Sequence, residues 1–345
     1  MSIHLDHYAR KRVVVTGGAG AIGRNLTATL AALGAESVIV LDDLSSAEPW
    51  NLPEERNVLF VEGSVTDDAA LKRVFSEKPH IVFHLAAFFA NQRSVDYPER
   101  DLEVNGMGTL RLLQMASLCG IDRFVYASSG CSVYGDAAPL PLVEEFMSLH
   151  LTSPYQITKV LGEYYANFYR HHHELPIAIA RLFNSYGPGE IPGQYRNVIP
   201  NFVYWAMQGR PLPLTGNPHA TRDFTFVGDI VDGLLRIGFD QNAIGEAMNI
   251  ASGRETRISD LADMVNELTG NEAGVVKAAP RRWDTKDRLL ASTELARDLV
   301  GYQPQTDFAS GLRQTYDWFT TNWNDIAQAA DFPPGMSSAV RELEA

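Results

Sequence analysis

The sequence predicts an α/β protein: a doubly wound parallel sheet with a smaller, interleaved α/β lobe. Short β-branched runs alternate with amphipathic helical stretches through the first half of the chain, the pattern of a parallel sheet covered on both faces. A glycine-rich turn joins the first run to the first helix, and the alternation stops at a loop rich in Gly, Pro and Asn after Tyr186. At 345 residues the chain is near the size at which a single core divides.

In order, RVVVTG from Arg12 reads as a strand, GAGAIG as a turn and RNLTATLAALG as a helix. SVIVLDD and NVLFVEG are the next strands, followed by helical DDAALKRVFSE, the strand HIVFHLAA, a helix around Asn105 to Ser117 and the strand RFVYASS. A further helix opens at SPYQITK and runs to Tyr169, and strict alternation stops after ARLFNSYGP, beyond which RDFTFVG is strand-like. The predicted boundaries are 1–185 for the sheet domain with a return segment at 224–252, and 186–223 with 253–323 for the second lobe. Residues 324–345 read as a loosely attached tail.

Composition excludes several function classes. Acidic residues number 42 against 29 lysines and arginines, a formal net charge of -13, which repels nucleic-acid backbones and anionic lipid surfaces. No nucleic-acid or membrane partner is expected. Cys119 and Cys131 are the only cysteines, too few for a disulfide framework or a zinc site, so no metal is expected and a reducing compartment is. The segment MSIHLDHYARKR has no apolar core of a leader, and no run approaches a membrane span. The expected location is the cytoplasm. The run His171, His172, His173 points three ways around a helix and reads as a solvated helix end.

Three motifs carry chemistry. TGGAGAIG, Thr16 to Gly23, lies between strand and helix. Its Gly17, Gly20 and Gly23 permit a tight turn, close approach of a pyrophosphate and close helix packing, with the helix N-terminus facing the phosphates. The second strand ends at Asp42, where a carboxylate accepts from an adenosine ribose and repels a 2'-phosphate, which predicts NAD rather than NADP. Asp43 beside it is a second candidate contact. Tyr155 and Lys159 stand four apart on one helical face. A lysine cation and an oxidised nicotinamide both favour the phenolate, and lowering a tyrosine from about 10 to about 7 requires roughly 4 kcal/mol of differential interaction. The third motif, FVYASSGCSVYG, brings Ser128, Ser129 and Ser132 to the carboxyl edge of the sheet.

These motifs, with HLAA at His84 to Ala87, Asn105-x-x-Gly-Thr and RLFNSYGP, resemble the extended short-chain dehydrogenase/reductase family. Within it the chain is most similar to nucleotide-sugar epimerases and dehydratases of the UDP-glucose 4-epimerase type. The resemblance covers roughly Arg12 to Phe319 and implies a Rossmann-type sheet, NAD as cofactor, a UDP-sugar or other nucleotide-sugar substrate and a homodimer. It implies cofactor contacts at Gly17, Gly20, Ala21, Ile22, Gly23, Asp42 and Asp43 in the first half of the site. Further cofactor contacts are implied at Ser64, Val65, Leu85, Ala86, Ala87, Asn105, Ser128, Tyr155 and Lys159. Tyr155, Lys159, Ser129 and Ser132 are the implied catalytic residues. Arg93, Ser129, Tyr155, Asn184, Asn197, Arg222, Arg281, Asp284 and Arg288 are the implied substrate contacts. The implied reaction is 4-epimerisation of a UDP-hexose or UDP-hexuronate through a transient 4-keto sugar.

The departures from the family pattern bear on the subclass. The Ser or Thr that usually partners the tyrosine falls on Gly130, so Ser129, Ser132 or a water takes its place, Ser129 being favoured. The Asp-Glu pair of the 4,6-dehydratases reads Cys131 and Ser132, and the decarboxylases also keep that glutamate, so both eliminations lose support. Cys131 is a reactive thiol or a small buried residue. Ser64 replaces an aspartate that usually meets the adenine amino group. Arg288 is a cation for a hexuronate carboxylate or a partner of Asp287 or Asp284. The rival readings are a dehydratase or decarboxylase-like relative and, from another class, a non-catalytic dinucleotide-binding sensor.

Overall fold

The computed structural model describes residues 3–280 and 286–332. Six strands build most of the central sheet: β1 (Arg12–Thr16), β2 (Ser37–Asp42), β3 (Val58–Glu62), β4 (Ile81–His84), β5 (Arg123–Ser129) and β6 (Ile177–Leu182). The seventh, Ala247–Ile250, returns from the second half of the chain and pairs with β6. All pairs are parallel, in the order Ala247–Ile250, β6, β5, β4, β1, β2, β3. This is the Rossmann-type arrangement expected. The apolar runs explain it: the interior strands β1, β4 and β5 are buried almost throughout, as strands covered on both faces must be. The edge strand β3 is largely accessible, Leu59 and Phe60 included.

The two covering layers come from amphipathic helices. On one face Leu26 and Leu30 of Ala21–Ala32 pack with Ile230, Val231 and Leu234 of Val227–Phe239. On the other, Leu112 and Leu113 of Thr109–Cys119 pack with Ala166 and Tyr169 of Pro154–His173. A π-type stretch, Leu102–Gly108, leads into Thr109–Cys119. Pro154–His173 starts where the sequence stops it fraying: the Ser153 hydroxyl accepts from the Gln156 N–H, the Gln156 side chain returns the bond, and Pro154 occupies the first turn. At its far end His172 and His173 stack against Phe168 and Tyr169.

The chain leaves β1 towards β2 and β3 and then crosses back to β4, so a crevice opens at the carboxyl ends of β1 and β4, where open α/β sheets bind ligands. Three short strand pairs extend the structure beyond it: Asn184–Tyr186 with Phe224–Phe226, Thr221–Arg222 with Thr256–Arg257, and Leu212–Thr215 with Val275–Ala278. Their core is aromatic, with Phe202, Phe224, Phe226 and Phe319 around Leu261.

One expectation is corrected here. The tail predicted from residue 324 is anchored over its described part: Trp323–Ala329 is a helix with Ile326 fully buried, Trp323 packs on Tyr204, and Phe332 stacks on Tyr204. Aromatic packing holds it, and the Gln194 N–H donates to the Asp331 carbonyl. Among the described residues, no helix is long and apolar enough to cross a membrane.

Candidate active site

The crevice contains a cavity of about 450 Å³ running from the glycine turn past Asp42 to Tyr155 and the loop after Tyr186. Gly17 has φ +70°, and a Cβ there would stand 2.7 Å from the Ala86 nitrogen. A Cβ on Gly23 would stand 2.0 Å from the Gly17 carbonyl oxygen. The turn therefore closes only with glycine. Gly20 caps the helix Ala21–Ala32 without any side-chain hydrogen bond, leaving its N-terminal turn open to an anion. Asp42 is held ready by two backbone donors, Ala19 N–H at 3.0 Å and Leu44 N–H at 2.9 Å. Burial raises its carboxyl, and those two donors oppose the rise.

Asp43, Ser64, Val65 and Leu85 to Ala87 also line the cavity. Gly17, Gly20, Ala21, Ile22 and Gly23 line the same cavity, and a glycine turn, an open helix N-terminus and a carboxylate at the end of β2 together form a cradle that fits a dinucleotide. The Ser64 hydroxyl accepts from Thr66, forming the local turn. Asn105 is a correction. It is buried behind the cavity, where its amide bridges Phe88, Asp101 and Thr158; it shapes the wall through Phe88 and does not face the cofactor cradle. Ser128 lines the cavity, yet its hydroxyl donates to Glu163 at 2.5 Å, inside a buried pair between Glu163 and Arg181.

At the reaction end, Tyr155, Lys159, Ser129, Cys131 and Ser132 meet. The Lys159 ammonium donates to the Ala127 carbonyl at 2.9 Å and lies 5.6 Å from the centre of the Tyr155 ring. Burial lowers Lys159 to about 8, opposed by the charges of Asp101 and Glu163. Burial also pushes the Tyr155 phenol up, with Cys131 and Asp101 acting the same way, while a hydrogen bond with Ser129 draws it down. Ser129 and Ser132 share a hydrogen bond at 3.0 Å, and both hydroxyls line the cavity beside Tyr155. Gly130 has a steric cause: a Cβ there would fall 2.0 Å from the edge of the Phe183 ring. The Cys131 thiol is pushed up to about 11, chiefly by burial, which keeps it protonated at neutral pH.

The expected substrate contacts divide. Arg93, Asn184 and Asn197 line the cavity. The Arg93 guanidinium lies 4.2 Å from the centre of the Phe88 ring and donates to the Ser46 hydroxyl. Asn197 donates to Glu190 at 2.8 Å. Arg222 sits outside the cavity lining, on Thr221–Arg222, where its charge acts on Cys131 and Lys286. Arg288 is corrected: it is 57 % exposed and, among the described residues, forms its surface ion pair with Glu255 at 2.5 Å rather than with Asp287. Arg281 and Asp284 lie outside the described residues.

Sequence reasoning missed Glu190, Gln194 and Arg196, all in the cavity wall. Their signal is a run of polar side chains within GPGEIPGQYRN, a loop that the sequence reading takes as a boundary, with Asn197 alone as a contact. It also missed Lys286, whose ammonium donates to the Cys131 carbonyl at 2.7 Å.

Comparison with known proteins agrees with this geometry. Residues 13–251 match the NAD dependent epimerase/dehydratase family. A UDP-glucose 4-epimerase of Mycolicibacterium smegmatis is 37% identical over 312 residues, 89% of this chain and 98% of that protein. The structure of an epimerase from the methanogen Methanothermobacter thermautotrophicus superposes with a TM-score of 0.94 at 54% identity, covering 95% of this chain and 98% of the other. The Bordetella bronchiseptica enzyme WbmF, solved in complex with NAD+ and UDP, gives 0.82 at 39% identity over 94% and 96% of the two chains. With the motif order and the cradle both in place, the chain belongs to the NAD-dependent epimerase/dehydratase family, and its cofactor is NAD.

Proposed function

We propose that the protein is a nucleotide-sugar 4-epimerase acting on a UDP-hexose or UDP-hexuronate through a transient 4-keto sugar. The observation that carries the reading is the reaction end of the cavity. A buried Tyr155 lines the cavity together with the hydrogen-bonded hydroxyls of Ser129 and Ser132, while Cys131 and Ser132 stand where an eliminating enzyme needs an acid and a base. The relative named as a UDP-glucose 4-epimerase and the neighbour that holds UDP support the substrate class. The same reading assigns residues 1–185 with 224–252 to NAD, and 186–223 with 253–323 to the nucleotide sugar.

Bound NAD supplies a hydride acceptor and donor for the sugar carbon. Tyr155 takes the proton of the sugar hydroxyl and returns it after the ring has turned over. Ser129 stabilises the phenolate by its hydrogen bond. Lys159, held on the Ala127 carbonyl, places its positive charge beside the Tyr155 ring and would hold the nicotinamide ribose. Phe88, Phe89 and Leu182 line the cavity with apolar surface that keeps water from the ketone. No net oxidation results.

Residues exposed on two neighbouring helical segments, Leu102, Met107 and Leu118 on one and Ile157, Tyr164 and Phe168 on the other, support pairing with a second copy. Two free cysteines are in keeping with a cytoplasmic enzyme.

The test is a mass-resolved chromatogram of the protein incubated with UDP-glucose, UDP-N-acetylglucosamine and UDP-glucuronate. A new peak of unchanged mass is expected from one of them. A product lighter by water or carbon dioxide would replace epimerisation with elimination or decarboxylation.

A further inference from the structure

Three segments from different parts of the chain meet at Ser46. The Arg93 guanidinium, beyond β4, donates to the Ser46 hydroxyl at 2.5 Å, and the Arg196 guanidinium, in the loop after Tyr186, donates to the Ser46 carbonyl. The Tyr195 hydroxyl closes the triangle: it donates at 3.1 Å to Asp96, which shares the short helix Asn91–Asp96 with Arg93. Sheet order decides what this triangle crosses. β1 lies between β4 and β2. Neighbouring strands stand about 4.8 Å apart, so a link from the segment after β4 to the segment after β2 bridges roughly 10 Å over the carboxyl end of β1. At that end lie the glycine turn and the open N-terminus of Ala21–Ala32. The crossing segment leaves β2 through Leu44, whose φ of +55° lies in the left-handed region. It is tied down again at Asn51, which donates to the Gly189 carbonyl at 2.9 Å. Ser46, Arg93, Tyr195 and Arg196 line both the main cavity and a second one of about 230 Å³, so open space adjoins the crossing on more than one side.

We propose that Ser46 is the clasp of a strap over the NAD diphosphate: the segment between Leu44 and Asn51 swings away from Arg93 and Arg196 to admit or release the cofactor, and is fastened again once the cofactor is seated. Such a strap slows entry and exit alike, because it must open for either. It suits a reaction without net oxidation, in which the cofactor is regenerated in place and need not leave between turnovers. One of its two fasteners, Arg196, belongs to the side-chain-built half of the cavity, so the hold on NAD depends on a loop outside the glycine turn. The inference rests on NAD as the cofactor and is independent of which sugar the protein takes.

The experiment is stopped-flow binding of NADH to the full chain, stripped of cofactor with charcoal and followed by energy transfer from its tryptophans to the dihydronicotinamide. Dissociation is read by displacement with excess NAD. Ser46→Ala removes the hydroxyl that Arg93 holds. It should raise the association and dissociation rate constants together, by about tenfold, the weight of one hydrogen bond to a charged group, and leave Kd unchanged. Ser46→Thr keeps a hydroxyl and should keep the wild-type rates. Arg196→Lys retains the charge but shortens the reach to the Ser46 carbonyl, and should also raise both rate constants. Faster dissociation of Ser46→Ala with unchanged association, and Kd weakened in proportion, overturns the proposal, since Ser46 would then act as a ligand contact. So does a Ser46→Ala protein with neither rate constant altered, or a threonine variant as fast as the alanine one.

Discussion

The two halves of the cavity are built by different means. The cofactor half is made of main chain: a glycine turn that admits no Cβ, an uncapped helix end, and Asp42 clamped by two backbone donors. The half between Tyr155 and the loop after Tyr186 is made of side chains from separate segments, among them Ser129, Phe183, Glu190 and Arg196. Backbone cradles tolerate almost no substitution within the turn and place a common ligand the same way in any such fold. Side-chain walls can be changed residue by residue, and substrate choice resides there.

The sharpest division between the halves should come from Tyr155→Phe. It removes the proton acceptor and lowers turnover by about 10²- to 10⁴-fold, while NAD binding, measured by equilibrium titration, stays close to that of the wild type. A parallel loss of NAD affinity would show that the halves are not separable at this residue. Ser129→Ala should lower kcat by roughly ten- to a hundredfold, the equivalent of about 1.5–3 kcal/mol for a hydrogen bond to a charged group. Because that bond draws the Tyr155 phenol down, its loss leaves the proton on the phenol to higher pH. The rising limb of the pH–rate profile should therefore move upward, and an unmoved limb would assign the tyrosine's partner elsewhere.

Gly130→Ser restores the hydroxyl usual in the family, yet it should destabilise the fold by roughly 1–3 kcal/mol, since its Cβ collides with the Phe183 ring. Thermal unfolding measures this, and a cost of Gly130→Ser that disappears when the change is made in a Phe183→Ala background would identify the collision as the cause. The smallest effect is expected from Arg288→Ala. Its guanidinium faces solvent and Glu255, so kcat/KM should be unchanged for neutral and uronate sugars alike. A selective loss with the uronate would bring Arg288 into the sugar half after all.

The same contrast governs what the sequence discloses. Gly17, Gly23, Asp42, Tyr155 and Lys159 lie at strand ends or on helix faces with set spacing, and their chemistry is legible because local backbone geometry requires those residue types. Asn105 was legible as a motif and misread as a contact: its amide is directed at Phe88 and Asp101, a choice made by tertiary packing. Arg288 and Glu255, far apart in sequence, meet only because Thr221–Arg222 pairs with Thr256–Arg257 and brings the two surface segments together. Glu190 gives no periodic signal because a loop has no period; its place in the cavity wall is set by its hydrogen bonds with Asn197 and by the attachment of Pro188 and Gly189 to Asn25 and Asn51. The anchoring of residues 323–332 was missed for a related reason: Tyr204 and Trp205, which receive Phe332, belong to a helix more than a hundred residues earlier in the chain.

The ring of Phe183 beneath Gly130 also has a historical consequence. It makes two positions interdependent, so the order in which they change matters. A lineage carrying this phenylalanine cannot acquire a hydroxyl side chain at residue 130 in one step without passing through a less stable protein. Shrinking residue 183 first would open a route, at the risk of loosening the cavity wall that Phe183 lines. Until that happens, descendants of this sequence are confined to placing their hydroxyls at 129 and 132.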